Sequence, residues 1–310
     1  MSKAAELAAL IGSQSALSNR NLIINGAMQC WQRTTSVTTS GSGTFSADRW
    51  ASNAGASTVF SRSTDVPTGF QFSISVAGSV FTGIRTRIEA ADCKKLAGQK
   101  VTFSWYAKRT AGTGDMKTFL GYASAEDNFG TVTLIEEVVN TASASVSSDW
   151  ARYTYTVTLP ASAVNGLHFV IFNGSASGSV TTLYTGVQLE LGEQATPFEH
   201  RSFGEELARC QRFFASSNGN RHEISWGGQN NASIAGGTID LPVHMRASCT
   251  VSTEDDAGNA QRFTTLTGGG SVGNNVGFNV LTGYNNSINF RCYGQGLNGM
   301  RFTWEADAEL

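Results

Sequence analysis

Three kinds of side chain in this sequence are capable of chemistry, and their spacing decides whether they are arranged for it. Carboxylates pair at Glu136-Glu137 and Glu205-Glu206, and run together at Glu254-Asp255-Asp256. Glycoside hydrolysis needs two carboxyl groups facing each other at roughly 5–9.5 Å across a sugar. Neighbours along one strand or turn do not meet that need, and Glu254 to Asn259 has the composition of a hairpin turn. His168, His200, His222 and His244 stand far apart, and none has a second ligand close behind it, so the minimal zinc spacing is missing. Asp48 is a lone carboxylate where calcium takes about 6–8 oxygens; it is better placed to accept turn N–H groups or to pair with Arg49. Gly268, Gly270 and Gly273 spell G-x-G-x-x-G, but the segment joins two expected strands and no helix follows to receive a pyrophosphate. The expectation is no enzyme, no metal and no cofactor.

Recognition of a sugar asks for less. An aromatic ring covers the apolar face of a pyranose while amides bond its hydroxyls. Trp226 stands beside Gln229 and Asn230, Tyr284 beside Asn285 and Asn286, and Tyr293 beside Gln295, each near an expected loop tip. Core packing for the rings and turn geometry for the asparagines account for the same residues. His168, on an apolar strand, reads as a hydrogen-bonded core or interface histidine, and Arg85, Arg87, Lys94 and Lys95 as a solvated strand face and turn.

The elements holding these residues are strands. Charged residues make up 15% of the chain, and 34 glycines punctuate Ser-, Thr- and Asn-rich turns. A formal charge of −2 gives no general attraction to phosphate, so nucleic acid is not an expected partner. No run approaches the roughly 20 apolar residues that cross a bilayer as a helix. The first apolar stretch is broken by Glu6, unlike a secretory leader. Five cysteines at wide spacings fit buried free thiols in a reducing compartment, and so synthesis in a cytoplasm.

Residues 1–20 are expected to form a short helix and connector, with Leu7, Leu10 and Ile11 as an apolar stripe. Such a helix is marginal alone and is expected to be ordered by docking onto other subunits or its own copies. Residues 21–201 read as a β-sandwich. Phe70, Phe72, Ile74 and Val76 alternate, as do Val101, Phe103 and Trp105, and Tyr153, Tyr155 and Val157. Leu167 to Phe172 is apolar without alternation, as in a central strand covered on both faces. Residues 202–214 read as a linking helix opened by Ser202 with Glu205 three residues on, its apolar face formed by Phe203, Leu207, Cys210 and Phe214. Residues 215–310 read as a smaller β unit with alternation at Ile239/Leu241/Val243, Val276/Phe278/Val280, Ile288/Phe290/Cys292 and Met300/Phe302/Trp304. The fold class is therefore all-β: short helix, jelly-roll sandwich, linking helix, smaller sandwich.

Three segments carry a family resemblance. NLIINGAMQCWQR from Asn21, ADRW from Ala47 and GVQLELGEQATPFEHRSFGEELARCQRFF from Gly186 resemble the opening and closing parts of a jelly-roll domain in tailed-phage virion proteins, and the final FTWEADAEL resembles the C-terminus of several of them. The resemblance implies a virion structural protein on the tail or capsid exterior. A homotrimeric short tail fibre or spike fits best, with its N-terminus on other phage proteins and its C-terminal unit on the host surface, where a glycan is the expected ligand. A head fibre or decoration protein, or a non-catalytic carbohydrate-binding module, are the alternatives. No ligand residues come with these motifs.

Overall fold

The computed structural model describes residues 19–54, 57–79, 81–138, 146–176, 178–225, 234–267, 271–277, 280–293 and 299–310. The N-terminal stripe of Leu7, Leu10 and Ile11 lies outside these residues, as do Trp226, Gln229 and Asn230. The chain divides into two compact units, Met1–Glu206 with Leu310, and Leu207–Glu309. It is all-β with minor helical additions, as the composition predicts.

The first unit is a sandwich of two antiparallel sheets. Its strands are β1 (Ser36–Thr39), β2 (Ala51–Asn53), β3 (Thr58–Ser63), β4 (Ser73–Gly78), β5 (Gly83–Ile88), β6 (Lys100–Ala111), β7 (Gly114–Ala125), β8 (Asn128–Val138), β9 (Ala151–Thr158), β10 (Leu167–Ala176) and β11 (Val180–Leu191). A six-stranded sheet runs β1-β3-β4-β11-β6-β9 and a five-stranded sheet runs β2-β5-β10-β7-β8. A short helix α1 (Ala90–Cys93) and a 3-10 turn (Ala161–Asn165) lie between strands. Alternation points Val101, Phe103 and Trp105 of β6 and Leu167, Phe169 and Ile171 of β10 into one core, where Phe103 stacks on Phe169 at 4.2 Å between centroids. β11 carries a bulge between Thr185 and Gln188. Gly186 sits there at φ 61°, and a Cβ would stand 2.7 Å from the Phe70 ring, so the bulge requires glycine.

The helix α2 (Phe203–Gln211) begins as expected, with the Glu205 N–H donating to the Ser202 hydroxyl at 3.3 Å. Its buried face differs. Phe203 is 55% exposed, while Glu206 and Cys210 are buried. The helix also ends at Gln211, and Phe214 opens a strand instead of completing the expected stripe. Glu206 turns inward because the Asn25 N–H, 181 residues away, and the nearby Arg201 guanidinium bond its carboxylate.

The second unit contains β12 (Phe214–Ser216), β13 (His222–Ser225), β14 (Ile234–Asp240), β15 (Thr250–Glu254), β16 (Arg262–Thr267), β17 (Ser271–Gly277), β18 (Val280–Gly283), β19 (Ser287–Tyr293) and β20 (Gly299–Asp307). The long β20 pairs with β12, β13, β15 and β16, and β14-β19-β18 form a separate sheet. Phe263, Ile288, Phe290, Met300, Phe302 and Trp304 make its core. The run expected as one strand at Val276 to Val280 is divided: β17 ends at Gly277 and pairs with β16, while β18 starts at Val280 and pairs with β19.

Candidate functional site

The segments that carry the phage-protein resemblance come together as a buried clasp. The Asn21 side chain accepts from the N–H groups of Ile23 and Leu189 and donates to the Val187 carbonyl. Asn25 donates from its amide to the carbonyls of Cys30 and Asp48 and accepts from the Cys30 N–H. Trp50 donates its indole N–H to the Asn25 carbonyl at 2.9 Å. Asp48 accepts from the Gln32 backbone and side-chain amides, a bridge to a segment sixteen residues away in place of the local turn role expected of it. Arg201 bonds the carbonyls of Asn21 and Ile23 and pairs with Glu199 and Glu206. Buried polar groups need such partners, so these motif residues are spent on closing the sandwich and are unavailable to a ligand.

Three of the paired carboxylates are engaged as well, while the side chains of Glu136 and Glu137 lie outside the described set. Glu206 belongs to the clasp, Asp255 accepts from Ala257 and Asn259 within its turn, and Asp256 pairs with Arg221 at 2.7 Å and with Arg301. Among the described residues no group of three His, Cys, Asp or Glu side chains is placed to hold a metal. Gly273 lies inside β17, away from any helix N-terminus; Gly268 and Gly270 are outside the described residues.

Of the residues singled out for sugar recognition, Tyr284, Asn285 and Asn286 form an exposed tip between β18 and β19. Tyr284 is 46% exposed, and its N–H donates to the Ser287 carbonyl. The carbonyls of Asn285 and Asn286 accept from Met245 and Leu241, so the turn braces the neighbouring segment while leaving the ring in solvent. Tyr293 ends β19 opposite Ile234; its side chain is outside the described set, as are those of Trp226, Gln229 and Asn230.

A second assembly, which no local sequence signal announces, lies on the outer face of the five-stranded sheet. Ile84 and Ile88 of β5, Phe169 and Ile171 of β10, and Met116 and Leu120 of β7 face the core. Alternation therefore turns Arg85, Arg87, His168, Val170, Phe172, Lys117 and Phe119 outward. Register sets His168 between Arg87 and Gly121, Val170 between Arg85 and Phe119, and Phe172 between Gly83 and Lys117. Gly83 permits the close strand approach, since a Cβ there would meet the Ile171 carbonyl oxygen at 2.0 Å. His168 touches Phe119 edge-on at 5.9 Å and Phe129 at 6.3 Å between centroids, and Arg87 lies over Phe129 at 4.9 Å. At the rim Phe81 is 58% exposed with its ring 6.2 Å from that of Phe172.

The electrostatics of this face differ from those expected. His168 is buried, yet its Nδ1 has no hydrogen-bond partner among the described residues, so it is not the satisfied core histidine the sequence suggests. Burial, reinforced by the charges of Arg87 and Arg85, pushes its imidazole down to about 3, leaving it neutral. Burial also lowers the Arg85 pKa, and no carboxylate faces that guanidinium among the described residues. Arg85 and Arg87 are thus half-buried within an aromatic surface instead of lying on a solvated face.

No protein-family model matches the chain, and no curated protein does. Solved structures do match. The chain is similar to the CBM22-1 xylan-binding domain of Xyn10C from Paenibacillus barcinonensis, at 14% identity and a TM-score of 0.36, over 56% of this chain and 96% of that one. It is similar to the CBM22-1-CBM22-2 tandem domain from the same organism at 14% identity and a TM-score of 0.36, over 90% of this chain and 92% of that one. It is also similar to the enzymatically active domain of tailspike protein 4 of Bacteriophage CBA120, at 16% identity and a TM-score of 0.35, over 56% of this chain and 21% of that one. At these identities and TM-scores the matches carry neither a role nor a ligand over to this chain.

Proposed function

We propose that this chain is a non-catalytic β-sandwich protein that binds a glycan on the outer face of its five-stranded sheet. One observation carries the reading. Phe81 holds a left-handed backbone at φ 59°, a conformation that a bulky side chain adopts only under strain, and it does so to present a mostly exposed ring beside Phe172. An exposed ring held at such a cost next to outward cations suits a pyranose, with its apolar face for the ring and hydroxyls for the polar groups. The Tyr284-Asn285-Asn286 tip, with Trp226, Gln229, Asn230 and Tyr293, remains a proposed second contact in the other unit. A glycan array probed with the full chain, Phe81→Ala and Tyr284→Ala separates the two. Loss with Phe81→Ala supports the sheet face; unchanged binding by that variant overturns it, and loss confined to Tyr284→Ala moves the site to the second unit.

A virion role is a compatible second reading, favoured by the clasp: the residues bearing the phage-protein resemblance are those that close the first unit. On this reading the chain is a trimeric tail fibre or spike, or a head-mounted fibre, attached through Leu7, Leu10 and Ile11. Deleting residues 1–18 then abolishes incorporation into particles while glycan binding persists. Incorporation of the truncated chain at the full level refutes the attachment.

A further inference from the structure

The proposed glycan site has a charge character that narrows its ligand. Cations in this chain commonly find carboxylates: Lys94 pairs with Glu126, Lys100 with Glu193 and Lys108 with Asp65, at 2.7–3.0 Å, and Arg201 and Arg301 are paired as well. Arg85 and Lys117 have no ion pair among the described residues, although the chain has 24 acidic residues against 22 basic ones. Both stand on the outer face of the five-stranded sheet. By register they are two strands and one two-residue step apart, roughly 12 Å between Cα atoms. Val170, Phe172 and Phe119 lie between them.

The other charged groups on this face are few. Arg87 is occupied with the Leu310 carbonyl and the Phe129 ring. Asp115 approaches Lys117 across Gly174, where a Cβ would stand 2.6 Å from Asp115 Oδ1 and 2.7 Å from Lys117 Cγ. On the edge strand Glu137 is in register with Phe119. Among the described side chains of this face the cations Arg85, Arg87 and Lys117 therefore outnumber the acid Asp115. His168, 7% exposed, adds a neutral ring with an unpartnered Nδ1 and no charge of its own. The Arg85 guanidinium lies close to the loop at Gly43, where a Cβ would come within 3.0 Å of Nη2.

Resting on the glycan reading above, we propose that the ligand is an acidic saccharide. Its carboxylates are received by Arg85 and Lys117, and its sugar rings lie on the exposed Phe81 and the partly exposed Phe119, with the buried Phe172 ring supporting Phe81 from beneath. A half-buried guanidinium with a free fork matches a carboxylate in two parallel bonds, whereas a neutral glycan leaves it desolvated and uncompensated. The flanking rings suit pyranose faces and not a phosphodiester backbone, and the overall formal charge of −2 disfavours a nucleic acid.

The test uses the full chain on an array of oligogalacturonates, oligoglucuronates and oligosialates, each printed beside its methyl ester, which keeps the ring and removes the charge. The expected result is at least one acid bound about tenfold more tightly than its ester, with affinity falling as salt is raised. Lys117→Gln, at a half-exposed position, and Arg85→Gln each weaken that acid about tenfold and leave the ester unchanged. Matched urea midpoints of the variants and the parent establish that the fold is retained. Equal binding of acids and esters, or variants that bind the acid as well as the parent does, overturns the charge assignment while the glycan reading stands. Binding of no glycan, acid or ester, overturns both.

Discussion

Replacing Phe81 by glycine separates a ring kept for packing from a ring kept for a ligand. Its left-handed backbone at φ 59° costs a non-glycine residue about 1–2 kcal/mol. The residue is 58% exposed, so the apolar burial lost on removing the ring is about 1 kcal/mol, from a full-burial value of ~1.5–3 kcal/mol for phenylalanine. Glycine adds roughly 0.5–1 kcal/mol of extra backbone entropy to be lost on folding. These terms nearly cancel, so Phe81→Gly is expected to change the unfolding free energy by less than about 1 kcal/mol. Phe81→Ala keeps the strain and loses the ring, and is expected to be the less stable of the two by about 1 kcal/mol, the reverse of the usual order inside a strand or helix. Urea denaturation with matched m-values measures both, and glycan affinity by titration calorimetry is expected to fall several-fold in both. A glycine variant that loses more than about 3 kcal/mol shows that the ring supports the sandwich and removes the reason for assigning it to a ligand.

Other perturbations test the clasp and the buried groups. Arg201→Ala strands the buried Glu206 carboxylate and the carbonyls of Asn21 and Ile23, and is expected to destabilise by about 3–5 kcal/mol in urea; a loss under about 1 kcal/mol refutes the clasp as the closure of the sandwich. Phe169→Ala removes the ring stacked on Phe103 and is expected to lose about 3–5 kcal/mol, with a much smaller loss meaning that the two sheets do not meet there. His168 has a folded pKa near 3 against an ordinary 6.5, so as the pH falls between these values the unfolded chain takes up a proton that the folded chain refuses. Stability then declines by about 1.4 kcal/mol per pH unit and levels off below the folded pKa. His168→Gln is expected to flatten that acid limb while matching the parent's pH dependence above pH 7; parallel curves through the acid range contradict the burial. Burial pushes the Cys93 thiol up to about 12, so iodoacetamide at pH 8 is expected to leave it unmodified in the native protein and to alkylate it in urea, and native-state labelling detected by mass spectrometry contradicts that environment.

What the sequence made legible was local. Alternation located β6 and β9, and the continuous apolar run from Leu167 to Phe172 was rightly read as a central strand, because β10 sits between β5 and β7 with its core-facing and outward residues all covered. The turn at Glu126 to Asn128 was readable from composition, and Asp127 there has φ 54°. The cap of α2 was readable from Ser202, but its buried face was not. That face depends on Arg201 and Asn25 drawing Glu206 inward, and Asn25 lies 181 residues away from it. A periodicity argument ranks Phe203 above Glu206 because it counts apolarity and cannot see the partner.

The outer face of the five-stranded sheet was hidden for the same reason, one level higher. Period-two alternation alone sends Arg85 and Arg87 outward, which is why they resemble a solvated strand face. Their surroundings follow from register. His168 reaches Arg87, and Val170 reaches Arg85 and Phe119, only once β5, β10 and β7 pair across separations of about 50 to 80 residues. A one-residue slip of β10 would bury His168 in the core and turn Phe169 to solvent, so the apolar core that fixes the register also assembles the polar face behind it. That coupling gives the proposed recognition surface its rigidity: the rings and cations stand on strands whose opposite side is locked by Phe103, Trp105 and Phe169. Phe81, on the connection leading into β5, is tied to β10 as well, its N–H donating to the Asn173 carbonyl at 2.7 Å, and its left-handed backbone then turns the ring out beside Phe172.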